Sequence, residues 1–230
     1  MTRLQEDLKA LRESLSDMAM QVKNQLRKSI CSLLDEDEDL ANEVIVNEKR
    51  VNAMELNIDR QCEQIFALLN PVAHDMRFVF STLKINADLE RIADYAEDIA
   101  GIVLIGKNSF DKNLIKTIRL IEMSEISQVM MEDVTRAYYE DNTKVARSVF
   151  SKDLKLDEIN KNASTIAENY IKNNLDKIQQ ALMIISIIRK LERVGDHITN
   201  IAEEVIFYKE AKVLRHMDKS EDKPREIDTN

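Results

Sequence analysis

The chain has 230 residues, of which only three are glycine and two are proline, and aromatic side chains make up 5%. Turn-rich β folds use more glycine and proline, because their tight turns depend on these residues. The formal charge is −9, from 33 basic and 42 acidic side chains, and no concentrated basic run is present. Nucleic-acid-binding domains usually carry such a basic face. The composition therefore favours a helical protein that does not bind nucleic acid.

Apolar residues recur at helical spacing along almost the whole chain, which predicts six long helices. The first three are predicted over 4–34, from the acidic turn at 35–39 to 69, and over 74–105. The fourth helix is predicted to follow a break at 106–109 and to end at 140. The fifth follows a turn at 141–142 and ends at 173, and the sixth follows a short connection at 174–175 and ends near 215. Residues 216–230 are polar and charged, and we expect a disordered tail there.

Helices of about 30 residues with short connections must pack antiparallel to bury their apolar stripes. The break at Gly106 divides the chain in two. We therefore expect an all-α fold of two tandem, pseudo-symmetric antiparallel three-helix bundles, residues 1–106 and 107–215.

The sequence shows no segment for crossing a membrane. Its longest uncharged run of interest, 178–188, is shorter than the roughly 20 apolar residues that a bilayer requires. The amino terminus has no apolar signal core. We expect a cytoplasmic protein that meets a membrane only through partners. Cys31 and Cys62 would lie about 25–30 Å apart in a hairpin of the first two helices, so we expect two free thiols rather than a disulfide.

The third helix of each half carries an internal repeat. Residues 89–100 (LERIADYAEDIA) reappear as residues 191–202 (LERVGDHITNIA), with six of twelve positions identical. A weaker echo in the second helices relates residues 48–52 to residues 153–157. The chain therefore contains two copies of one three-helix unit.

A helical wheel gives each repeat an apolar and a polar side. The first apolar stripe is Ile85, Leu89, Ile92, Ala96, Ile99 and Val103, and the second is Ile187, Leu191, Val194, Ile198, Ile201 and Val205. The polar sides carry Glu90, Asp94 and Asp98 in the first copy and Glu192, Asp196, Asn200 and Glu203 in the second. Each unit is thus predicted to present a line of oxygen atoms away from its core.

Acidic side chains four residues apart repel each other, and a bridging cation would reverse that effect. The repeated carboxylates therefore suggest a metal site, with ligands from the second and third helices. The alternative is a solvated face, since acidic pairs such as Glu55 and Asp59 also arise by chance in a highly charged chain.

The segments 88–94 and 191–197 resemble the paired signature of the PhoU family, and 70–77 resembles its link between second and third helices. The resemblance covers about residues 1–212. It implies two symmetric three-helix bundles, surface clusters of iron or zinc held by acid-x-x-x-Asp motifs, and often a homodimer. It also implies a negative regulator that restrains a phosphate ABC transporter, through its ATPase subunit, and a sensor histidine kinase.

Carried over by this resemblance, the metal candidates are Glu48, Glu90 and Asp94 in the first repeat and Asp153, Asp157, Glu192 and Asp196 in the second. Asn52 stands where an acid is expected, and Ala93 and Tyr95 stand where the family commonly has Gly and His. The first site is therefore expected to be weaker or differently occupied.

Three further residues allow two interpretations each. His197 is either a hydrogen-bonded packing residue or a metal ligand. Arg91 and Arg193 either pair with acids of a neighbouring helix or bind phosphate or a partner's acid. Packing and pairing are the commoner roles for such residues.

The sequence favours a binding protein over an enzyme. A di-metal oxidase on a helical bundle would need Glu-x-x-His pairs, and the residues three positions before His74, His197 and His216 are Pro, Val and Val. The open alternative is an accessory or structural helical module for another phosphate carrier.

Overall fold

The computed structural model describes residues 2–106 and 110–214, which fold into seven α-helices and one short 3-10 turn. The helices are α1 (Arg3–Asp35), α2 (Glu38–Leu69), α3 (Ala73–Gly106), α4 (Lys112–Thr117), α5 (Leu120–Glu140), α6 (Thr143–Asn173) and α7 (Ile178–Glu210). The 3-10 turn, Leu175–Lys177, leads into α7. Within the described residues the predicted all-α fold is confirmed. The break was predicted at 106–109, but Gly106 is the last residue of α3. The rest of that break, 107–109, and the predicted tail at 216–230 lie outside the described residues.

Short polar side chains start the long helices where the sequence has its turns. Thr2 and Gln5 form a capping box at the start of α1. The side chain of Asp37 accepts from the backbone N–H of Leu40 at 2.9 Å, which caps α2. Asn142 caps α6 by accepting from the N–H of Val145. These side chains satisfy backbone donors that the first helical turn leaves free.

The predicted fourth and sixth helices differ from the structure. The fourth is two helices, because Arg119 takes the left-handed conformation with φ 61° and separates α4 from α5. The sixth was predicted to reach Arg215, but α7 ends at Glu210. There Ala211 is left-handed with φ 54°, and its N–H donates to the Phe207 carbonyl at 2.8 Å. Left-handed residues at helix ends are usually glycine or asparagine. Because Arg119 and Ala211 are neither, the sequence does not mark these two helix ends.

Helices α1, α2 and α3 pack together as one bundle, and α5, α6 and α7 pack as the other, with α4 against α5 and α6. Both predicted apolar stripes, six residues on α3 and six on α7, are buried. Glu203 was predicted to lie on the polar side of α7 that faces away from the core. This prediction is wrong, because Glu203 is only 7% exposed.

The two bundles meet chiefly where α3 packs against α7 and α1 against α5. Asp88 of α3 accepts from the His197 ring nitrogen at 2.7 Å and from the Asn200 amide at 3.3 Å. At the equivalent place, Lys190 of α7 pairs with Asp98 of α3. Asp88 and Lys190 are matching positions of the repeat, as are Asp98 and Asn200. The α3–α7 contact is therefore built twice around a pseudo-two-fold axis.

A second group of contacts joins α1 to the carboxyl ends of α5 and α7. Arg12 pairs with Asp141 at 2.9 Å and lies over the ring of Phe78, with 4.7 Å to its centroid. Tyr208 donates from its hydroxyl to Asp141 at 2.8 Å. Tyr138 stacks on Phe78, and its backbone carbonyl accepts from Arg12. These contacts fix one bundle against the other beside the apolar core.

Cys31 and Cys62 are free thiols, as predicted. None of the helices in residues 2–106 and 110–214 has an apolar stretch long enough to cross a bilayer.

Candidate metal centre

Three carboxylates of the first repeat converge between α2 and α3. Glu48 lies on α2, and Asp94 and Glu97 lie on α3. One ligand oxygen from each lies within 4.8 Å of the other two. Glu48 is only 9% exposed, and the other two are half-buried. Three carboxylates at this separation form an oxygen-only donor set of the kind that hard cations bind.

Asn86 sets the register that brings α2 and α3 together. Its side-chain amide donates to the Glu55 carbonyl at 3.0 Å and to the Asp59 carboxylate at 2.9 Å. The side-chain oxygens of Asn86 and Asn52 are buried and accept no hydrogen bond. A buried carbonyl oxygen without a donor is costly, and Asn52 lies about one turn of α2 from Glu48.

The carboxylates around this cluster repel one another. Burial raises the pKa of Glu97, and the nearby charges of Glu48, Asp94 and Asp98 raise it further. Burial also raises the pKa of Glu90, with the charge of Asp94 next in importance. The residues in this part of the first repeat thus hold excess negative charge close to the protein interior. A bound cation would neutralise it.

The arginines of the two signatures pair with acids of their own helix, not with a neighbouring helix as we expected. Arg91 contacts Asp94 at 3.0 Å and Glu90 at 3.5 Å. Arg193 contacts Asp196 at 3.3 Å and Glu192 at 3.8 Å. Both arginine side chains are about 60% exposed, at 61% and 62%. Exposed ion pairs of this kind are weak. A cation that bound these carboxylates would therefore displace the arginine side chains easily.

The second repeat brings its acids near each other through a glycine. A Cβ on Gly195 would lie 2.6 Å from the Leu156 side chain and 2.8 Å from a carboxylate oxygen of Asp153. A side chain at this position would therefore have to displace the ends of the Leu156 and Asp153 side chains on α6. Burial raises the pKa of Glu192, followed by the charges of Asp196 and Asp157.

The two repeats differ in how tightly their acids converge. Of the predicted ligands, the structure places Glu48 and Asp94 in the close cluster and leaves Glu90 beside it. Among the described residues, the acids of the second repeat form no group of three at that mutual distance. The tighter arrangement therefore belongs to the first repeat, and the four predicted ligands of the second repeat stay a prediction.

Glu97 was missed in the sequence because the repeat does not preserve it. Its counterpart in the second copy is Thr199, so a search for shared residues passes over it. Glu97 nevertheless lies three residues after Asp94, which places both on one helix face. That spacing was a usable signal.

The donor set contains neither histidine nor cysteine. His197, the one histidine of a signature, is hydrogen-bonded to Asp88 and packs against Tyr95, so its packing role is confirmed. Oxygen-only sites suit iron and other hard or borderline cations, whereas zinc more often takes nitrogen or sulfur ligands. The carboxylates present therefore fit iron better than zinc.

A duplicated helical bundle with carboxylates on the second and third helices defines the class of this protein, and comparison with known proteins identifies its family. Residues 15–103 and 120–205 each match the PhoU domain. The chain belongs to the PhoU family.

Relatives along the full chain agree with this assignment. The "Phosphate-specific transport system accessory protein PhoU homolog" of Zymomonas mobilis is 30% identical over 217 residues, which cover 94% of this chain and 91% of the relative. The Escherichia coli "Phosphate-specific transport system accessory protein PhoU" is 29% identical, covering 92% of this chain and 87% of the relative.

Solved structures show the same fold. The crystal structure of PhoU from Pseudomonas aeruginosa has a TM-score of 0.86 at 30% identity, covering 91% of this chain and 100% of that one. That of the phosphate transport system regulatory protein PhoU from Streptococcus pneumoniae has a TM-score of 0.80 at 25% identity, covering 92% and 99%.

Proposed function

We propose that this chain is a metal-binding cytosolic adaptor that restrains phosphate uptake by an ABC transporter and the activity of its sensor histidine kinase. The names of its relatives, which describe accessory proteins of phosphate transport, support the phosphate link. The observation that carries the metal role is the cluster of Glu48, Asp94 and Glu97.

The mechanism is a shift of population in the partners. An adaptor that binds the inactive state of the transporter ATPase or kinase more tightly than the active state lowers activity without a chemical step. The cation's role would be to neutralise the acidic cluster and hold α2 and α3 in one register. A homodimer would present two such surfaces to the partners.

Metal binding is tested by elemental analysis of purified protein after exposure to ferrous iron under anaerobic conditions. The Glu48→Gln and Asp94→Asn double variant keeps side-chain shape but removes two charges, and we expect it to lose iron. Glu63→Gln is the matched control, because Glu63 is an exposed acid on the same helix α2. Equal iron in the double variant and wild type would rule out this cluster as the site.

The regulatory role is tested by phosphate uptake in cells that lack the gene and grow in excess phosphate. We expect uptake to rise on deletion and to fall again when the wild-type gene is returned. Unchanged uptake after deletion would contradict the regulator and favour an accessory role with another phosphate carrier.

A further inference from the structure

A groove runs between the carboxyl-terminal half of α3 and the amino-terminal half of α7. It consists of two adjoining cavities of about 540 Å³ and 260 Å³ that share Ile102, Ile105 and Ser186. Ile45 of α2 forms its wall at one end, and Leu182 of α7 lies at the other. We call this the α3–α7 groove.

The α3–α7 groove is open to solvent, and its apolar side chains lie beside the polar ones of Asp98, Ser186 and Lys190. Ile105 is 67% exposed and Leu182 is 57% exposed. Single exposed apolar side chains are common on protein surfaces, but a contiguous group lining a concave surface is typical of an interaction site.

The floor of the groove contains a glycine that the fold itself does not need. Gly101 lies inside α3, where glycine costs about 0.5–1 kcal/mol relative to alanine. A Cβ there would meet nothing within 4 Å, whereas one on Gly106 or Gly195 would contact a side chain at 2.4 Å or 2.6 Å. Packing within the chain therefore explains the other two glycines but not Gly101. An open glycine allows the backbone of a second molecule to approach closely.

One end of the groove carries uncompensated negative charge. Among the described residues, no lysine or arginine is paired with Glu97, which faces Glu48, Asp94 and Asp98. Asp98 itself is paired with Lys190. An occupant with a basic residue at this end would complement the charge.

We propose that the α3–α7 groove binds an amphipathic helix of a partner protein. A small residue of that helix lies over Gly101 and Ser186, its apolar residues contact Ile105 and Leu182, and a lysine or arginine pairs with Glu97. Two parallel ridges of helix side chains with a small-residue floor provide the geometry in which a third helix packs.

The groove and the proposed metal cluster share Glu97. A cation held by Glu48, Asp94 and Glu97 therefore competes with the basic residue of the docked helix. This coupling rests on the proposed metal function, whereas docking itself does not. Occupancy by metal would then weaken partner binding, and loss of metal would strengthen it.

The test uses a fluorescein-labelled synthetic peptide of 18 residues, with leucines at helical spacing, alanines at its centre and lysines at one end. Fluorescence anisotropy with the full chain, treated with EDTA, should give saturable binding. Gly101→Leu fills the floor and should weaken binding at least tenfold, with helical content checked by circular dichroism. A peptide with glutamates in place of the lysines should also bind at least tenfold more weakly.

Matched variants distinguish binding in the groove from non-specific hydrophobic binding elsewhere on the surface. Leu182→Asp should weaken binding. Leu154→Asp should not, because Leu154 lies on α6 outside the groove, where it is 66% exposed against 57% for Leu182. No saturable binding, or equal affinity for wild type and Gly101→Leu, would overturn the docking proposal.

A manganese titration tests the competition separately. Peptide affinity should fall with manganese in wild type and stay constant in Glu97→Gln. Constant affinity in wild type that has bound manganese would overturn the competition, and absence of manganese binding would count against the metal site itself. Both results are distinguishable from failure of the groove, which the Gly101→Leu variant measures without metal.

Discussion

Replacing Glu97 by glutamine should change stability in opposite directions with and without metal. The ligand oxygens of Glu48, Asp94 and Glu97 lie within 4.8 Å of one another. At that distance two like charges repel by about 0.9 kcal/mol in water, and physiological salt reduces this to about half. Since Glu97 faces two such charges, Glu97→Gln should stabilise the metal-free protein by about 1 kcal/mol.

The assay is urea unfolding followed by circular dichroism, first with EDTA and then with saturating manganese. In thermal unfolding of the same samples, about 1 kcal/mol corresponds to an increase in Tm of roughly 2–4 °C for a chain of this size. With metal the order should reverse, because the variant loses a ligand and binds the ion less tightly. Glu63→Gln should stay within about 0.5 kcal/mol of wild type, as exposed substitutions usually do.

The burial of Glu97, together with the same repulsion, predicts a pH dependence. The pKa of Glu97 is raised in the folded state, so folding favours its protonated form. Its contribution is therefore most favourable below the unfolded pKa and is lost as pH rises through the folded pKa. As the pH in EDTA rises from the ordinary carboxyl range to neutral, wild type should lose stability relative to Glu97→Gln. A variant that is less stable than wild type in EDTA at pH 7 would refute the repulsion argument.

Three further substitutions have clear expected outcomes. Gly195→Ala should lower the free energy of unfolding by about 1–3 kcal/mol, because the added Cβ must displace the buried Leu156 side chain. Gly101→Ala should raise it by about 0.5–1 kcal/mol, and denaturant unfolding measures both. Tyr208→Phe should cost about 1–2 kcal/mol in the same measurement, because Asp141 loses a hydrogen bond of 2.8 Å. Burial raises the pKa of Cys62 to about 12, so in the native protein it should react with Ellman's reagent far more slowly than the other cysteine. Equal thiol rates, or a Gly195→Ala protein as stable as wild type, would contradict the packing described.

The fold was predictable because its signals are local. The apolar stripes, the acidic turn at 35–39 and the repeated signature all lie in short segments of sequence, and each maps directly onto a helix or a helix end. The break at Arg119 and the end of α7 at Ala211 were not predictable in this way. Both depend on left-handed residues that local preference disfavours, so the surrounding packing determines them.

The candidate site was predictable only in part. Helical spacing identifies which acids share a face of α3, but the distance from Glu48 to Asp94 depends on how α2 and α3 pack. The register set by Asn86 follows from that packing, whereas Arg91 pairs with Glu90 and Asp94 of its own helix. Glu97 shows a different limit, because it occurs in one repeat alone and a search for repetition cannot find it.

The reversed charge at the pseudo-two-fold axis has a consequence for assembly of the duplicated chain. If two first halves paired through α3, Asp88 of each would face Asp98 of the other, and the acids would repel. If two second halves paired through α7, Lys190 would meet His197 and Asn200 and find no carboxylate. Only the unlike combination satisfies both ends, so this contact favours pairing between the two different halves of one polypeptide over pairing of two identical halves.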